Sequence, residues 1–487
     1  MRLERLLKRL NNNGRRGDYP LALDIKSISA DSKTVRDGSL FVAVEGTKSR
    51  GSDFIAEALR NGALCVVGSR PKTEVSFKNV PFIKVRDSRL ALAVLADEFF
   101  DHPSKKLKVA GVTGTNGKTT ITYLIRDILK QADLSSGIIG TINYCYGDKV
   151  IPAVNTTPGP IELQSLLNDM AKSACRYCVM EVSSHALSQE RTAGIDFESA
   201  IFTNLTPDHL DYHKTLENYF LAKSGLFSSL KAEASAIVNL DSPYGARLRS
   251  LSRGRFVGYA IDSPADFKAR DLSLSLEGSE FVLEARGIKS KIKTRLLGRH
   301  NILNILAAIA FGVTQKIELP QIQKAVENFE GVRGRLCRVK ARARNVFIDY
   351  AHTPDALENV LSVLRQFTKG RLRVVFGCGG ERDRMKRPLM GEVAEKYSDT
   401  IIITSDNPRS EEPLAIAKEI AAGIKTKEYK IIPDRRQAIE LALEKSNFSD
   451  TVLIAGKGHE NYQIFKDNKI EFDDQIAAEE YIREKGL

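Results

Sequence analysis

Short apolar runs rich in β-branched residues recur along this chain, separated by segments with apolar residues at helical spacing. Runs of the first kind read as buried strands, and spacing of three and four residues reads as one face of a helix. In residues 1–105 the runs SLFVAVEG, ALCVVGS and PFIKV are mixed with amphipathic stretches such as DSRLALAVLADEFF. HPSKKLK then reads as a linker. From KVAGVTGTNGKTT onward the runs KVAGVTG, SGIIGTI, YCVMEVS, SAIFTNL and SAIVNL read as parallel strands, with TTITYLIRDILKQA and PIELQSLLNDMAKSA as helices among them. The pattern changes again near residues 331–334, after which VFIDYA, LRVVFGCGG, TIIITSD and TVLIAGKG alternate with helices. This pattern predicts an α/β protein in three domains: a smaller unit over 1–105, a doubly wound central sheet over 106–333 and a third α/β unit over 334–487.

Bulk properties add limits. At about 100–200 residues per domain, 487 residues allow two to four domains. Hydrophobic residues at 42% and charged residues at 28% fit a soluble globular chain, and no apolar run reaches the ~18–20 residues that span a bilayer. The start, MRLERLLKRLNNNGRRGDYP, is basic with leucines at helical spacing and has no apolar centre or cleavage site. It is expected to form a short surface helix on a cytoplasmic protein. Cys175 and Cys178 form a CxxC, but no second pair or histidines stand at ligand spacing, so ordinary reduced thiols are expected. The net charge of +12 is spread along the chain without tryptophan or interleaved aromatic and basic residues. A polyanionic nucleotide substrate accounts for it better than nucleic acid does.

The densest chemistry is KVAGVTGTNGKTTITYLIRDIL: an apolar strand, a glycine-rich turn, then a helix. Such a turn brings backbone N–H groups toward phosphate oxygens, and the helix N-terminus adds partial positive charge. Lys118 can reach terminal phosphates, and the hydroxyl of Thr119 or Thr120 can ligate magnesium. The strict pattern GxxxxGK[ST] is not met, because Val112 stands where its first glycine belongs. Two further strand ends carry carboxylates and histidines: Glu181 with His185, and Thr206-Pro207-Asp208-His209-Leu210-Asp211-Tyr212-His213. Ligands of open α/β sheets gather at such carboxyl ends.

The loop TGTNGKTT resembles that of the Mur ligase family, and further motifs follow in the family's order from about residue 25 to near the C-terminus. The resemblance implies an N-terminal UDP-binding domain, a central P-loop-type ATPase and a C-terminal Rossmann-like domain. It implies ATP on Gly114, Thr115, Asn116, Gly117, Lys118, Thr119 and Thr120, with adenine near Asn301 and Asn304, phosphates near Arg335 and ribose near Asp349. It assigns Mg2+ to Thr119, Glu181 and His209, and to Lys223 once carbon dioxide has converted that lysine to a carbamate (N6-carboxylysine). Lys118, Glu181, His209 and Lys223 are therefore the expected catalytic set. From the residues alone, Lys223 reads as a helix-surface lysine.

The same resemblance places a nucleotide-linked muramoyl dipeptide, UDP-N-acetylmuramoyl-L-alanyl-D-glutamate, on Ser32, Thr156, Thr157, Ser183, Gln189, Arg191 and His352. Ser32-Lys33 replaces the family's usual Ser-Arg, and the proline usually found before Gly334-Arg335 is absent. SDNPRSEEP is good turn chemistry in itself, but its DNPR matches the diaminopimelate-adding branch. Arg382, Asp406, Asn407, Arg409, Gly456 and Glu460 are the implied contacts to meso-diaminopimelate. A guanidinium can grip the carboxylate that distinguishes this amino acid from lysine. The implied product is a peptidoglycan precursor made by a monomer, through an acyl phosphate, without nucleic-acid or membrane partners. A lysine-adding ligase, a relative that adds D-alanyl-D-alanine or extends folate, and a regulatory NTPase are the alternatives. Arg409 opposes the first, DNPR and GKGHE together oppose the second, and Glu181, His209 and Lys223 are unexplained by the third.

Overall fold

The computed structural model describes residues 1–10, 22–46, 49–70, 80–285, 287–339, 341, 344–466 and 468–486. The initial helix is there, over Leu3–Leu7, but Leu3 and Leu6 are fully buried and Arg5 pairs with Glu98 and Asp101. It docks on the first domain and is not a free surface helix; residues 11–21 of the same basic stretch lie outside the described residues. Ser27–Ser29, Ser39–Ala43, Ala63–Gly68 and Phe82–Lys84 form a parallel four-stranded sheet in sequential order. The helix Ser88–Phe99 covers one face, its first turn capped by the Asp87 carboxylate, which accepts from the N–H groups of Arg89 and Leu90.

The HPSKKLK stretch is ordered: Pro103–Lys105 makes a short 3-10 turn, and the chain enters the central sheet at Lys108. Lys108–Thr113 lies between Phe197–Phe202 and Tyr177–Glu181, all parallel, with Ser136–Ile139, Ser235–Asn239 and Arg255–Ala260 outside them. All but Arg255–Ala260 are strands read from the sequence, and helices pack on both faces. Both edges then carry antiparallel pairings, which the doubly wound expectation lacked, although Phe267–Ser275 still joins Arg255–Ala260 in parallel. Asn143–Tyr146 and Lys149–Pro152 extend one edge, and Phe267–Ser275, Gly278–Ala285 and Ile288–Thr294 extend the other, giving eleven strands. Their charged faces are held by cross-strand pairs such as Lys291–Glu280 and Arg270–Glu284. One helix core packs against the sheet through Ile121, Leu124, Ile125 and Ile128 from Lys118–Gln131, and through Ile302, Ile305 and Ile309 from Arg299–Thr314.

The last unit is a six-stranded sheet. Asn345–Asp349, Thr451–Ala455, Leu372–Phe376, Thr400–Ile403 and Tyr429–Ile431 run parallel in that order, and Cys337–Arg338 pairs antiparallel at the edge. Its strands end in the loops that carry Asp349, Gly379, Asp406 and Gly456. Cys175 and Cys178 are free thiols, both buried. Among the described residues no helix is long and apolar enough to cross a membrane.

Candidate active site

A cavity of about 320 Å3 opens where the central and last units meet. Its floor is the phosphate loop. Gly114 has φ +145° and Gly117, the N-cap of Lys118–Gln131, has φ +89°, backbone that side-chain-bearing residues rarely adopt. The loop is pinned from the neighbouring strand end: the Thr115 N–H donates to Asn204 O (2.9 Å), the Asn116 N–H to Asn204 Oδ1 (2.9 Å), and the Thr203 hydroxyl to Asn116 O (2.6 Å). Thr115, Asn116, Gly117, Lys118, Thr119 and Thr120 line the cavity. Lys118 Nζ donates to the loop's own carbonyls, Gly114 O at 3.0 Å and Thr115 O at 2.8 Å. Burial lowers its pKa, opposed by Glu181 and Asp208.

Glu181 ends the strand beside the loop and is 1% exposed. Its two oxygens each accept from the Thr119 hydroxyl at 3.0 Å, and it also accepts from the Thr141 N–H (2.8 Å) and hydroxyl (3.0 Å). His209 lines the same cavity from a left-handed position (φ +54°), its ring edge-on to His185 at 4.8 Å and its Nε2 3.4 Å from Asp208. Burial lowers its pKa, with Asp208 opposing. Among the described residues no three His, Cys, Asp or Glu side chains cluster as a metal cage, and the expected set has only two of those types.

Lys223 differs most from its sequence reading. It is 1% exposed, on the inner face of Leu216–Ser228, and its Nζ donates to Gly114 O at 2.9 Å over the face of Tyr219 at 4.4 Å. Burial, and then the nearby Lys118 ammonium, hold its pKa well below the ordinary lysine range. Both effects disfavour the charged form of its amine.

The walls come from both units. Asn301 and Asn304 are buried on the first turns of Arg299–Thr314, linked by Asn304 Nδ2 donating to Asn301 Oδ1 (3.0 Å). Across from them, Arg335 lies over the Tyr350 ring at 4.4 Å and donates to the Thr119 hydroxyl at 3.2 Å. Asp349 accepts from the N–H groups of Leu336 (2.6 Å) and Ala351 (2.7 Å), and burial pushes its carboxyl up to about 6 against the pull of Arg335. The His352 ring, 2.8 Å from Tyr350 O through Nδ1, is held with that nitrogen as donor. Burial, then Lys386, lowers its pKa. Asp355 ties the units together, accepting from Asn116 Nδ2 (2.7 Å) and the Thr206 hydroxyl (3.1 Å).

Thr156 and Ser183 reach the cavity, and Thr157, Gln189 and Arg191 stand behind them. The Thr157 hydroxyl donates to Glu181 O (2.8 Å), and Arg191 donates to Thr157 O (2.8 Å) and Gln189 Oε1 (2.7 Å). Ser32 lies apart, in the first domain, where its hydroxyl donates to Glu57 at 2.7 Å. The nearby cleft of about 850 Å3 between the first and central units is lined instead by Ser29, Asp31 and Thr34 facing Tyr146 and Ile161.

A second cluster sits at the strand ends of the last unit, outside this cavity. Asn407 Nδ2 donates to Glu460 Oε2 (2.8 Å), and Asp406 packs against Gly456. Arg409 (φ +53°) donates to Gly380 O at 2.7 Å, and Arg382 is exposed beside Gly379. The clusters meet through Tyr350, whose ring lies 5.0 Å from that of His459, the neighbour of Glu460. Sequence reading missed Asp355, Tyr219, His300 and Lys457 as functional candidates. Each stood beside a selected residue in sequence or one helical turn away, but no local pattern says that it turns inward.

Family models match most of the chain: "Mur ligase family, catalytic domain" over residues 24–100, "Mur ligase middle domain" over 112–312 and "Mur ligase, glutamate ligase domain" over 334–458. The chain belongs to the Mur ligase family. A relative from Clostridium tetani named UDP-N-acetylmuramoyl-L-alanyl-D-glutamate--2,6-diaminopimelate ligase is 43% identical over 99% of this chain and 100% of its own. A relative of the same name from Syntrophomonas wolfei is 44% identical over 100% of both chains. A solved structure titled with that ligase name covers 100% of this Mur ligase chain and 99% of its own, at 32% identity and TM-score 0.71. A MurF ligase from Thermotoga maritima, solved in complex with ADP, is 21% identical with TM-score 0.62 over 95% of this chain and 97% of its own, a likeness of fold.

Proposed function

We propose that this Mur ligase joins meso-diaminopimelate to the D-glutamate γ-carboxylate of UDP-N-acetylmuramoyl-L-alanyl-D-glutamate, converting ATP to ADP and phosphate. The observation that carries the reading is the shared cavity. A phosphate loop and the buried Glu181 carboxylate on one unit face Arg335, Asp349 and His352 on the next, and Lys223 is bonded to the loop carbonyl of Gly114. The full-length relatives bearing that ligase name support the substrate pair.

ATP phosphates would lie on the loop N–H groups and the N-terminus of Lys118–Gln131, with adenine against Asn301 and Asn304 and ribose at Asp349. Lys118, now bonded to loop carbonyls, would swing to the terminal phosphates, joined by Arg335. A carboxylate oxygen of the dipeptide attacks the γ-phosphorus and the bond to the ADP oxygen breaks, giving an acyl phosphate. The diaminopimelate amine then attacks the acyl carbon, phosphate leaves and the nitrogen loses a proton. Lys118 and Arg335 stabilise charge on the transferring group.

The oxygen donors of Thr119 and Glu181 fit Mg2+, a hard cation. His209 and a carbamate on Lys223 would complete a second site, and burial that disfavours the ammonium favours the free amine to which carbon dioxide adds. Bound there, Mg2+ would neutralise phosphate charge. The first domain would take UDP in the cleft beside Asp31. Thr156, Thr157, Ser183, Gln189, Arg191 and His352 would hold the dipeptide. Arg382, Asp406, Asn407, Arg409, Gly456 and Glu460 would hold diaminopimelate. With nucleotide substrates the reaction would run in the cytoplasm, and with all the assigned sites on one chain a monomer would suffice.

Labelling the dipeptide γ-carboxylate with oxygen-18 tests the route. One label per turnover is expected in the released phosphate, with a nucleotide product heavier by one diaminopimelate less water. Product without label transfer excludes the acyl phosphate, and no product with any amino acid excludes the ligase.

A further inference from the structure

We infer that Lys457 is a positioning residue for the incoming amino acid: it pins one oxygen of Glu460 and leaves the other as the acceptor for the substrate's distal ammonium. The inference rests on the reading of Glu460 and Asn407 as diaminopimelate contacts and adds a residue to them.

Lys457 is fully buried, directly after the strand Thr451–Ala455 and Gly456. Its Nζ lies 3.1 Å from Glu460 Oε2 and 3.4 Å from Asn407 Oδ1, and 5.4 Å above the Tyr462 ring. A buried ammonium persists only where counter-charge and acceptors surround it, so these partners fix its place. They are also the two side chains at the mouth of the second cluster. Asn407 is held on both ends: Oδ1 takes Lys457 and the Ile464 N–H (3.0 Å), which leaves Nδ2 to point at Glu460 Oε2 (2.8 Å). Two donors thus converge on the same carboxylate oxygen. Among the described residues Glu460 Oε1 has no such partner. The backbone closes the arrangement, with the Glu460 N–H donating to Lys457 O at 3.0 Å.

Diaminopimelate has an ammonium beside its far carboxylate. An ammonium approaching Glu460 needs a carboxylate whose orientation is already set, because ordering it at the moment of binding costs affinity. Lys457 supplies that order through charge, which Asn407 alone cannot. It does not line the cavity that holds the phosphate loop. Its loss therefore falls on one substrate of three.

The test measures KM for meso-diaminopimelate, ATP and the UDP-linked dipeptide, and kcat, for the full-length enzyme and for Lys457→Met, Glu460→Gln and the double variant. Lys457→Met is expected to raise the diaminopimelate KM about tenfold, with the other two KM values unchanged within about twofold. In the Glu460→Gln background the same substitution is expected to have little further effect, since there is no carboxylate left to orient. Equal fold-changes in both backgrounds, or an unchanged diaminopimelate KM, would overturn the inference. If Lys457→Met does not fold, Lys457→Gln replaces it under the same criteria. A wild-type enzyme inert toward diaminopimelate would refute the underlying assignment of the substrate, a different result from unaltered variants of an active enzyme.

Discussion

Replacing Gly114 by alanine tests the phosphate loop where the fold leaves least room. At φ +145°, a Cβ would overlap Thr203 Oγ1 and lie 3.0 Å from the backbone N and O of Asn204. Holding alanine in that region costs about 1–3 kcal/mol. The overlap adds to this, because Thr203 and Asn204 cannot withdraw freely: the Thr203 hydroxyl donates to Asn116 O at 2.6 Å and Asn204 O accepts from the Thr115 N–H at 2.9 Å. The loop must give way, carrying the carbonyl that both Lys118 and Lys223 use. A displacement of about 1 Å in a positioned catalytic group costs about 100-fold in rate. Steady-state phosphate release and thermal unfolding should be measured beside Gly147→Ala. Gly147 also has positive φ (+52°), but nothing lies within 4 Å of its Cβ position. Both variants are expected to lose stability, Gly147→Ala by about 1–2 kcal/mol. Only Gly114→Ala is expected to lose about 100-fold in kcat/KM. A Gly114→Ala enzyme as active as Gly147→Ala would refute the reasoning.

Lys223→Arg puts a permanently charged group where burial favours a neutral one, and a guanidinium forms no carbamate. It is expected to lower kcat by about 100-fold or more, and carbon-13 bicarbonate should label the wild type and not the variant. Asp349 is raised from 3.8 to about 6, so the folded state holds its proton across that window while the unfolded state does not. Its contribution is full below 3.8 and is lost as pH rises through about 6; Asp349→Asn should remove that slope from urea titrations of nucleotide-free protein. Arg409→Ala should lower kcat/KM for diaminopimelate by about 100-fold while leaving that for L-lysine little changed, read by competing the two amino acids.

What the chain's pattern disclosed was what period and punctuation encode. The central parallel strands and the loop before Lys118 were legible because an apolar run, glycines and an amphipathic helix stand in one continuous segment. The strand ends at Glu181, Asp349, Asp406 and Gly456 were legible for the same reason. The antiparallel strands Phe267–Ser275 to Ile288–Thr294 escaped notice because their outer faces are charged and their inner residues few. Burial of Lys223 was not legible: Leu216–Ser228 is apolar on more than one side, and only the packing of Tyr219 and Gly114 decides which face is inside. Lys457 was hidden similarly, since a lysine between glycines reads as a surface turn until Asn407, fifty residues earlier, is seen beside it. The bond between Asn116 and Asp355 spans two units and leaves no local trace.

The most direct test of the account is phosphate release from ATP in the presence of the UDP-linked muramoyl dipeptide, with meso-diaminopimelate, L-lysine or no amino acid added. Release that depends on both the dipeptide and diaminopimelate is the predicted result. Release with lysine in place of diaminopimelate would keep the chemistry and contradict the specificity assigned to Arg409, and turnover indifferent to both substrates would contradict the ligase itself.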